Sequence, residues 1–397
     1  MISTRMNTRR IHLINFVRKF AVAAVFFLAP LHFLRLGFGG LAIGVIVSCF
    51  AAAPILFAFP TGWINDRFSI KRVILVALLA QSVLFIAIGH MKHAAGMAVL
   101  FLLVGLANSA LDVSINSLYY KDPSEENPNR KYGRYILWLS LGPAAGILFG
   151  GILIFSSGFP LLMMVFGAIT ALAAFSLRGI DGEKFSVVEI REYRADIFNR
   201  RVLAFSLFLF ILALHWGVEG TVYSPFLRRG LGLDDFQVAL FISMAYLSLA
   251  ASSLLISRLK FDTRRNRVLF LLGMMLSGIG LALMAQGDVR LSFFFRVVHE
   301  AGDGLLAVLS ILYISSLFEK RTIGGSAGIL SALQTAGQMA GALIFSWLGF
   351  RSGLEYPFFV AGALLIVNAA LGLFALPQEA AHRESTPAPL ARRTHEY

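Results

Sequence analysis

Charged residues and cysteine are both scarce in this chain. Only 14% of its 397 residues are charged, and Cys49 is its one cysteine, so the sequence excludes a disulfide framework and a cysteine metal site. It contains no G-x-x-x-x-G-K segment, which excludes a phosphate-binding loop and hence ATP as a direct energy source. It also lacks a nucleophile motif, a His-x-x-x-His pair and a cofactor loop. We therefore expect neither an enzyme nor a bound cofactor.

Apolar residues dominate the composition, with 57% hydrophobic and 13% aromatic residues. A helix needs roughly 20 apolar residues to cross the hydrocarbon of a bilayer, and runs of that length are too long for barrel strands. Such runs lie near 16–35, 40–61, 73–91, 95–119, 135–155, 159–177, 202–226, 236–257, 268–286, 291–317, 326–348 and 357–376. The sequence therefore predicts an all-α integral membrane protein with twelve transmembrane helices.

The basic residues predict how these spans are oriented. Nearly all of the 35 Lys and Arg residues lie at the termini or in the loops that follow even-numbered spans. Because short basic loops are retained on the cytoplasmic side, we expect both termini to be cytoplasmic and the protein to lie in the cell inner membrane. The net charge of +13 then reflects topology and attraction to anionic lipid headgroups, with no confined basic domain that would indicate nucleic-acid binding.

A long hydrophilic segment divides the chain into two similar halves. We predict a six-helix bundle over 1–177, a cytoplasmic linker over 178–201, a second six-helix bundle over 202–378 and a cytoplasmic tail over 379–397. A faint internal repeat supports the division, because the tetrapeptide R-V-I-L at Arg72 recurs as R-V-L-F at Arg267, each after the second span of its half. The two bundles are therefore expected to be pseudo-repeats.

The loop after span 2 carries the most specific motif. Its sequence reads G-x-x-x-D-R-x-x-x-K-R from Gly62 to Arg72 and resembles the loop signature of the major facilitator superfamily, with Ser69 in place of a second glycine. The resemblance implies a transporter fold of two six-helix bundles. A glycine lets helix ends approach closely, and an aspartate can accept hydrogen bonds from a helix start. The predicted conformational latch consists of Gly62, Asp66, Arg67, Lys71 and Arg72.

Span 5 contains glycines at intervals of four residues. Gly142, Gly146 and Gly150 share one helix face, which favours close helix packing beside a kink at Pro143. The G-P-x-x-G core also resembles the fifth-helix signature of antiporters in the same superfamily. Both interpretations stay open: a packing groove, or a feature of antiport.

Polar and ionisable residues within the spans are the candidates for function, because a charge at membrane depth is costly without a partner or a wet cavity. They concentrate on four spans. These are His32 with Arg35 on span 1, Asn108, Asp112 and Asn116 on span 4, His215 and Glu219 on span 7, and Arg296, His299, Glu300 and Asp303 on span 10. The family resemblance implies that spans 1, 4, 7 and 10 line the substrate path.

Helical spacing groups these candidates further, since residues four apart share a face. Glu300 and Asp303 are close neighbours, and two adjacent carboxylates in a low-dielectric site should raise the pKa of at least one of them, as a proton carrier requires. Glu219 needs compensation from another group, a proton or a cationic substrate. Asp112 is expected to pair with a basic loop such as that of Arg67 or to contact substrate, and His32 to be an interfacial residue or a ligand.

These features favour a monomeric transporter that works by alternating access and exchanges protons for a cationic or amphipathic small solute. One family feature is missing, because span 4 lacks the arginine and glycine pair found in many proton-coupled members. Three alternatives remain: a proton-driven uptake symporter, a membrane assembly or sensing protein that does not transport, and a metal-ion or metal-chelate transporter. The ligands of the last would come from His32, His215, His299, Glu219, Glu300 and Asp303.

Overall fold

The computed structural model describes residues 8–67, 69–121, 127–179, 199–260, 262–318 and 323–376. In these ranges the chain is helical and without strands, and twelve of its helices are long and apolar enough to cross a membrane. They are α1 (Thr8–Arg35), α2 (Gly40–Arg67), α3 (Ile70–His90), α4 (Ala94–Lys121), α5 (Pro128–Ser156), α6 (Phe159–Ala173), α7 (Arg200–Val218), α8 (Asp235–Arg258), α9 (Thr263–Leu283), α10 (Val289–Leu317), α11 (Ile323–Ser352) and α12 (Tyr356–Ala375). The predicted all-α architecture with twelve spans is confirmed.

The largest departure from the predicted spans is at α1, which begins at Thr8 instead of near residue 16. Arg18 and Lys19, which the basic-residue pattern counts with the cytoplasmic terminus, lie more than two turns inside this helix, and Arg18 is fully buried. Both side chains contact one acid on α4, as described below.

Helices of each half pack mainly with one another. In the first half α5 and α6 contact α1, and α4 contacts α2 and α3. In the second half α11 and α12 contact α7, and α9 lies between α10 and α12. Two extensive contacts cross between the halves, α2 with α11 and α5 with α8. Most of the predicted linker and the whole predicted tail lie outside the described residues.

Glycines permit the closest of these approaches. A Cβ atom at Gly146 of α5 would collide with the backbone carbonyl oxygen of Phe20 on α1, and one at Gly142 would lie 2.6 Å from the carbonyl oxygen of Phe16. Gly150 of α5 faces Leu28 of α1. The glycine face of α5 is thus the surface on which α1 packs, and Pro143 lies within the continuous helix.

Polar contacts join the halves at the end of the bundle where α1 ends and α8 begins. Arg35 donates a hydrogen bond to the carboxylate of Asp235 there, and the Ser346 hydroxyl donates to the carbonyl oxygen of Gly40 at 2.6 Å. We call this the Arg35 end. At the opposite end Asn129 of α5 and Asn266 of α9 exchange side-chain amide hydrogen bonds of 3.4 and 3.2 Å.

The helix that follows the linker changes its winding in the membrane. Beyond Val218, α7 continues into a π-helical turn over Glu219–Tyr223 and a second one over Phe226–Gly230. Such wide turns interrupt the regular pattern of side chains and occur frequently at functional sites. The first of them begins at the acidic residue that the sequence singled out.

Candidate functional site

A compact group of ionisable side chains joins α7, α9 and α10 in the second half. We call it the histidine–carboxylate cluster. Its members are His215, Glu219, Ser277, Arg296, His299, Glu300 and Asp303. Most of them are at least nine-tenths buried, and the Asp303 side chain keeps 13% of its exposure. Helical spacing alone pairs His215 with Glu219, Arg296 with Glu300 and His299 with Asp303, each four residues apart, and the tertiary structure joins these pairs.

Arg296 holds two carboxylates at once. Its guanidinium nitrogens lie 2.6 Å from Glu219 Oε1 and 2.5 Å from Glu300 Oε1, and its side chain is fully buried. The guanidinium carbon also lies 4.2 Å from the ring centroid of Tyr223, in the π-helical turn. Arg296 is therefore the group that compensates Glu219, which has no basic residue one turn away in the sequence.

His299 is oriented by a backbone carbonyl. Its Nδ1 lies 2.8 Å from the carbonyl oxygen of Ser277, which can only accept a hydrogen bond, so Nδ1 carries the proton. Nε2 then lies 3.1 Å from Glu219 Oε1. Two acceptors at that distance repel one another unless a cation lies between them. A proton between His299 and Glu219 makes this contact favourable.

His215 repeats the same arrangement. Its Nδ1 donates to the carbonyl oxygen of Leu212, and its Nε2 lies 3.1 Å from Asp303 Oδ2. The other oxygen of Asp303 accepts a 2.6 Å hydrogen bond from the Ser277 hydroxyl. The cluster thus contains two histidine–carboxylate pairs, and each of them has room for one proton.

The charges of the cluster also call for two protons. Glu219, Glu300 and Asp303 bring three negative charges against the one positive charge of Arg296. With neutral histidines the cluster would keep two uncompensated negative charges at membrane depth, which is costly. Two protons, one in each pair, make it neutral. His215, Glu219 and His299 also offer ligand atoms within 4.8 Å of one another, so the spacing alone admits a divalent cation as well.

A second polar group, the Asp112 cluster, joins α1 and α4 in the first half. Arg18 lies 2.6 Å from Asp112 Oδ1, Lys19 lies 3.5 Å from the same oxygen, and the Asn108 amide donates to Asp112 Oδ2 at 2.9 Å. Asn15 accepts a 2.8 Å hydrogen bond from Arg18. Among the described side chains, the partners of Asp112 lie on α1 and α4, and the Arg67 side chain lies outside them. The signal in the sequence was the position of Arg18 and Lys19 inside the first predicted span, 16–35, where each needs an anionic partner.

Comparison with known proteins agrees with this arrangement of two six-helix halves. The family model described as Major Facilitator Superfamily matches residues 11–259 and 205–394. The chain belongs to this superfamily. A curated relative, the uncharacterized MFS-type transporter YfkF of Bacillus subtilis (strain 168), is 32% identical over 78 residues, and that match spans 20% of each chain.

Solved structures share the superfamily fold. The human organic anion transporter MFSD10 (TETRAN) superimposes with a TM-score of 0.72 at 16% identity, over 92% of this chain and 99% of that one. The nucleoside transporter NupG gives a TM-score of 0.69 at 13% identity, over 93% of this chain and 99% of that one. Family and fold identify a multi-pass membrane transporter and not an enzyme.

Two further candidate residues, His32 and Asn116, take no part in the ion pairs of either cluster. His32 stacks on Phe159 with 4.0 Å between ring centroids and takes no part in the ionic contacts of the described residues. Asn116, on the same face of α4 as Asp112, accepts a hydrogen bond from Tyr135.

The superfamily loop motif is only partly described. Gly62 is buried where α2 ends, Lys71 is half-buried and Arg72 is exposed, whereas the side chains of Asp66 and Arg67 lie outside the described residues. The latch role of the loop therefore stays a prediction.

Proposed function

We propose that this protein is a secondary transporter of the cell inner membrane that exports a cationic or amphipathic solute in exchange for protons. The observation that carries the proposal is the contact between His299 and Glu219. Since the Nδ1 atom of His299 is committed to a carbonyl oxygen, its Nε2 faces the carboxylate at 3.1 Å and requires a cation there. Protons are the cations that are always available.

The charge balance of the cluster supports exchange of protons for the solute over cotransport of both. The cluster needs two positive charges in addition to Arg296, and two protons supply them. A cationic group that enters beside Glu219 or Asp303 supplies the same charge, so it displaces protons and does not bind together with them. Mutually exclusive occupancy of one site by proton and solute is the requirement for antiport. Under an inward proton gradient such exchange drives the solute out of the cell.

Alternating access is expected to use the two interfaces between the halves. With both termini in the cytoplasm, the Arg35 end faces outward, and the hydrogen bonds of Arg35 and Ser346 close that side. Protonation of the cluster and release of the solute would then occur on opposite sides as the halves rock about α2, α5, α8 and α11. Antiport is also supported by the G-P-x-x-G segment of α5.

Proteoliposomes that contain a pH-sensitive dye test the proposal. We expect protons to leave the vesicles when a member of a panel of organic cations enters them through the protein. An imposed pH gradient should drive the organic cation in the direction opposite to the protons, and reversing that gradient should reverse the movement of the cation. His299→Gln and Glu219→Gln each remove one of the two histidine–carboxylate pairs and should reduce the coupled proton movement to about half of that of the parent. His32→Gln, a histidine outside both clusters, is the matched control and should behave as the parent.

Three results would contradict the proposal. Movement of protons and solute in the same direction would indicate a symporter. Transport that stops with a metal chelator and returns with a divalent metal would indicate that a metal ion compensates the cluster. Parent-like proton coupling in both the His299 and Glu219 variants would show that the protons bind elsewhere.

A further inference from the structure

The Asp112 cluster carries one more positive charge than its carboxylate neutralises. Arg18 and Lys19 both approach Oδ1 of Asp112, at 2.6 and 3.5 Å, so two cations share one carboxylate. The shorter contact belongs to the fully buried Arg18, whereas Lys19 keeps 24% of its side-chain exposure. Within the described part of the chain, Asp112 is the one acid that pairs with Lys19. An uncompensated ammonium at membrane depth is costly unless an anion reaches it.

Lys19 lies on a face of α1 that contacts the second half two turns further along the helix. Lys19 and Phe26 are seven residues apart and therefore share a helix face. The residues of α1 from 21 to 31 are buried except for Phe26, which keeps partial exposure. A Cβ atom at Gly220 would collide with the Phe26 ring, so this face of α1 meets α7 directly beside Glu219.

The same geometry gives the spacing of the two clusters along the membrane normal. Seven residues at 1.5 Å per residue separate Lys19 from the level of Glu219 by roughly 10 Å. A positive charge on α1 that shares its carboxylate with Arg18 and a demand for positive charge on α7 and α10 therefore lie about two helical turns apart along the bundle.

We infer that the transported solute is zwitterionic, with an anionic group that binds Lys19 and a cationic group that binds the carboxylates of the histidine–carboxylate cluster. The inference deepens the proposed function and depends on it for the cationic end. Arg18 holds Asp112 in place, and the Asn108 amide fixes its second oxygen, so Lys19 is free to turn from Asp112 to a carboxylate of the solute. The two charges of the solute must lie at least roughly 10 Å apart, which is the separation of Lys19 and Glu219 along the axis of α1.

Three compounds on one rigid skeleton test this inference. They are 4'-(aminomethyl)biphenyl-4-carboxylate with both charges, its methyl ester with only the cation, and 4'-methylbiphenyl-4-carboxylate with only the anion. Their binding is measured as the thermal stabilisation of the full-length protein in detergent. We expect the zwitterion to bind at least tenfold more tightly than either singly charged compound.

Variants of Lys19 locate the anionic end. Lys19→Gln should bind the zwitterion no better than the ester, whereas Lys19→Arg should keep most of the preference because the charge stays. Lys92→Gln, which removes an exposed lysine from the turn before α4, is the matched control. A preference for the zwitterion that survives in Lys19→Gln overturns the inference, and so does a parent protein that binds the three compounds equally or not at all.

Proton measurements separate this inference from the proposed function. If the ester exchanges with protons as well as the zwitterion does, proton antiport holds and the anionic site is refuted. If the zwitterion is preferred through Lys19 but moves no protons, the anionic site holds and proton antiport is refuted.

Discussion

Arg35, the last residue of α1, donates a hydrogen bond to the carboxylate of Asp235, the first residue of α8, and so joins the two halves at one end of the bundle. Arg228 adds a longer ionic contact of 3.8 Å to the same carboxylate. Asp235 is 4% exposed, whereas the Arg35 side chain is 49% exposed. The pair must break whenever the halves separate at this end.

Asp235→Asn should therefore favour the conformation that is open at the Arg35 end. Because Arg35 is half exposed, the loss is expected to be about 1 kcal/mol, or about a fivefold change in the conformational equilibrium. Spin labels at the exposed positions Leu41 and Tyr356, in a Cys49→Ser background, report the separation of the halves. Asp234→Asn is the control, since asparagine still caps α8. An unchanged distance distribution in Asp235→Asn would refute the role of this pair.

Loss of Arg296 should be among the most destabilising changes in the chain. Arg296→Gln leaves the carboxylates of Glu219 and Glu300 buried without their shared cation, and we expect a loss of about 3–5 kcal/mol. Thermal unfolding in detergent measures it. The double variant Arg296→Gln/Glu300→Gln should recover part of the stability because one uncompensated charge is removed. A double variant as unstable as the single one would show that packing, and not charge, explains the effect.

Binding of an organic cation should strengthen as the pH rises. Protons occupy the two histidine–carboxylate pairs at low pH and must leave before a cation can bind there, so each bound cation releases up to about two protons. In His299→Gln the release should fall to about one, since the His215–Asp303 pair remains. Dissociation constants across a pH series, with dye-detected proton release, measure both numbers. His32→Gln should release as many protons as the parent, and a pH-independent affinity in the parent would contradict the prediction.

Gly146 should tolerate no side chain. In Gly146→Ala the new methyl group would collide with the carbonyl oxygen of Phe20, and α1 must move away from α5 at a cost of about 1–3 kcal/mol. The melting temperature of the purified protein reports the loss. Gly287→Ala is the control, because no atom lies within 4 Å of the added carbon at that position. Equal melting temperatures for the two variants would show that the helices are not held this closely.

Much of the site was visible in the sequence because helical spacing is a local property. The i, i+4 pairs of His215 with Glu219 and of Arg296 with Glu300 follow directly from the periodicity of a single helix. The sequence could not assign Arg296 to Glu219, because that contact joins α7 to α10 across 77 positions of the chain and depends on how the helices pack. For the same reason the sequence could not show that Arg18 of α1 is a partner of Asp112, because that contact joins two helices that are far apart in the chain.

The sequence by itself determined the class of the protein, the number of its spans and the residues that must find partners, because burial in hydrocarbon forces long apolar runs and penalises every isolated charge. Only the tertiary structure decided which charges meet. It separated the ionisable residues into two clusters of opposite excess charge, left His32 outside both, and aimed the Nε2 atoms of two histidines at carboxylates. These outcomes depend on the rotation and depth of each helix against its neighbours, which close packing at residues such as Gly146 fixes and which no local pattern records.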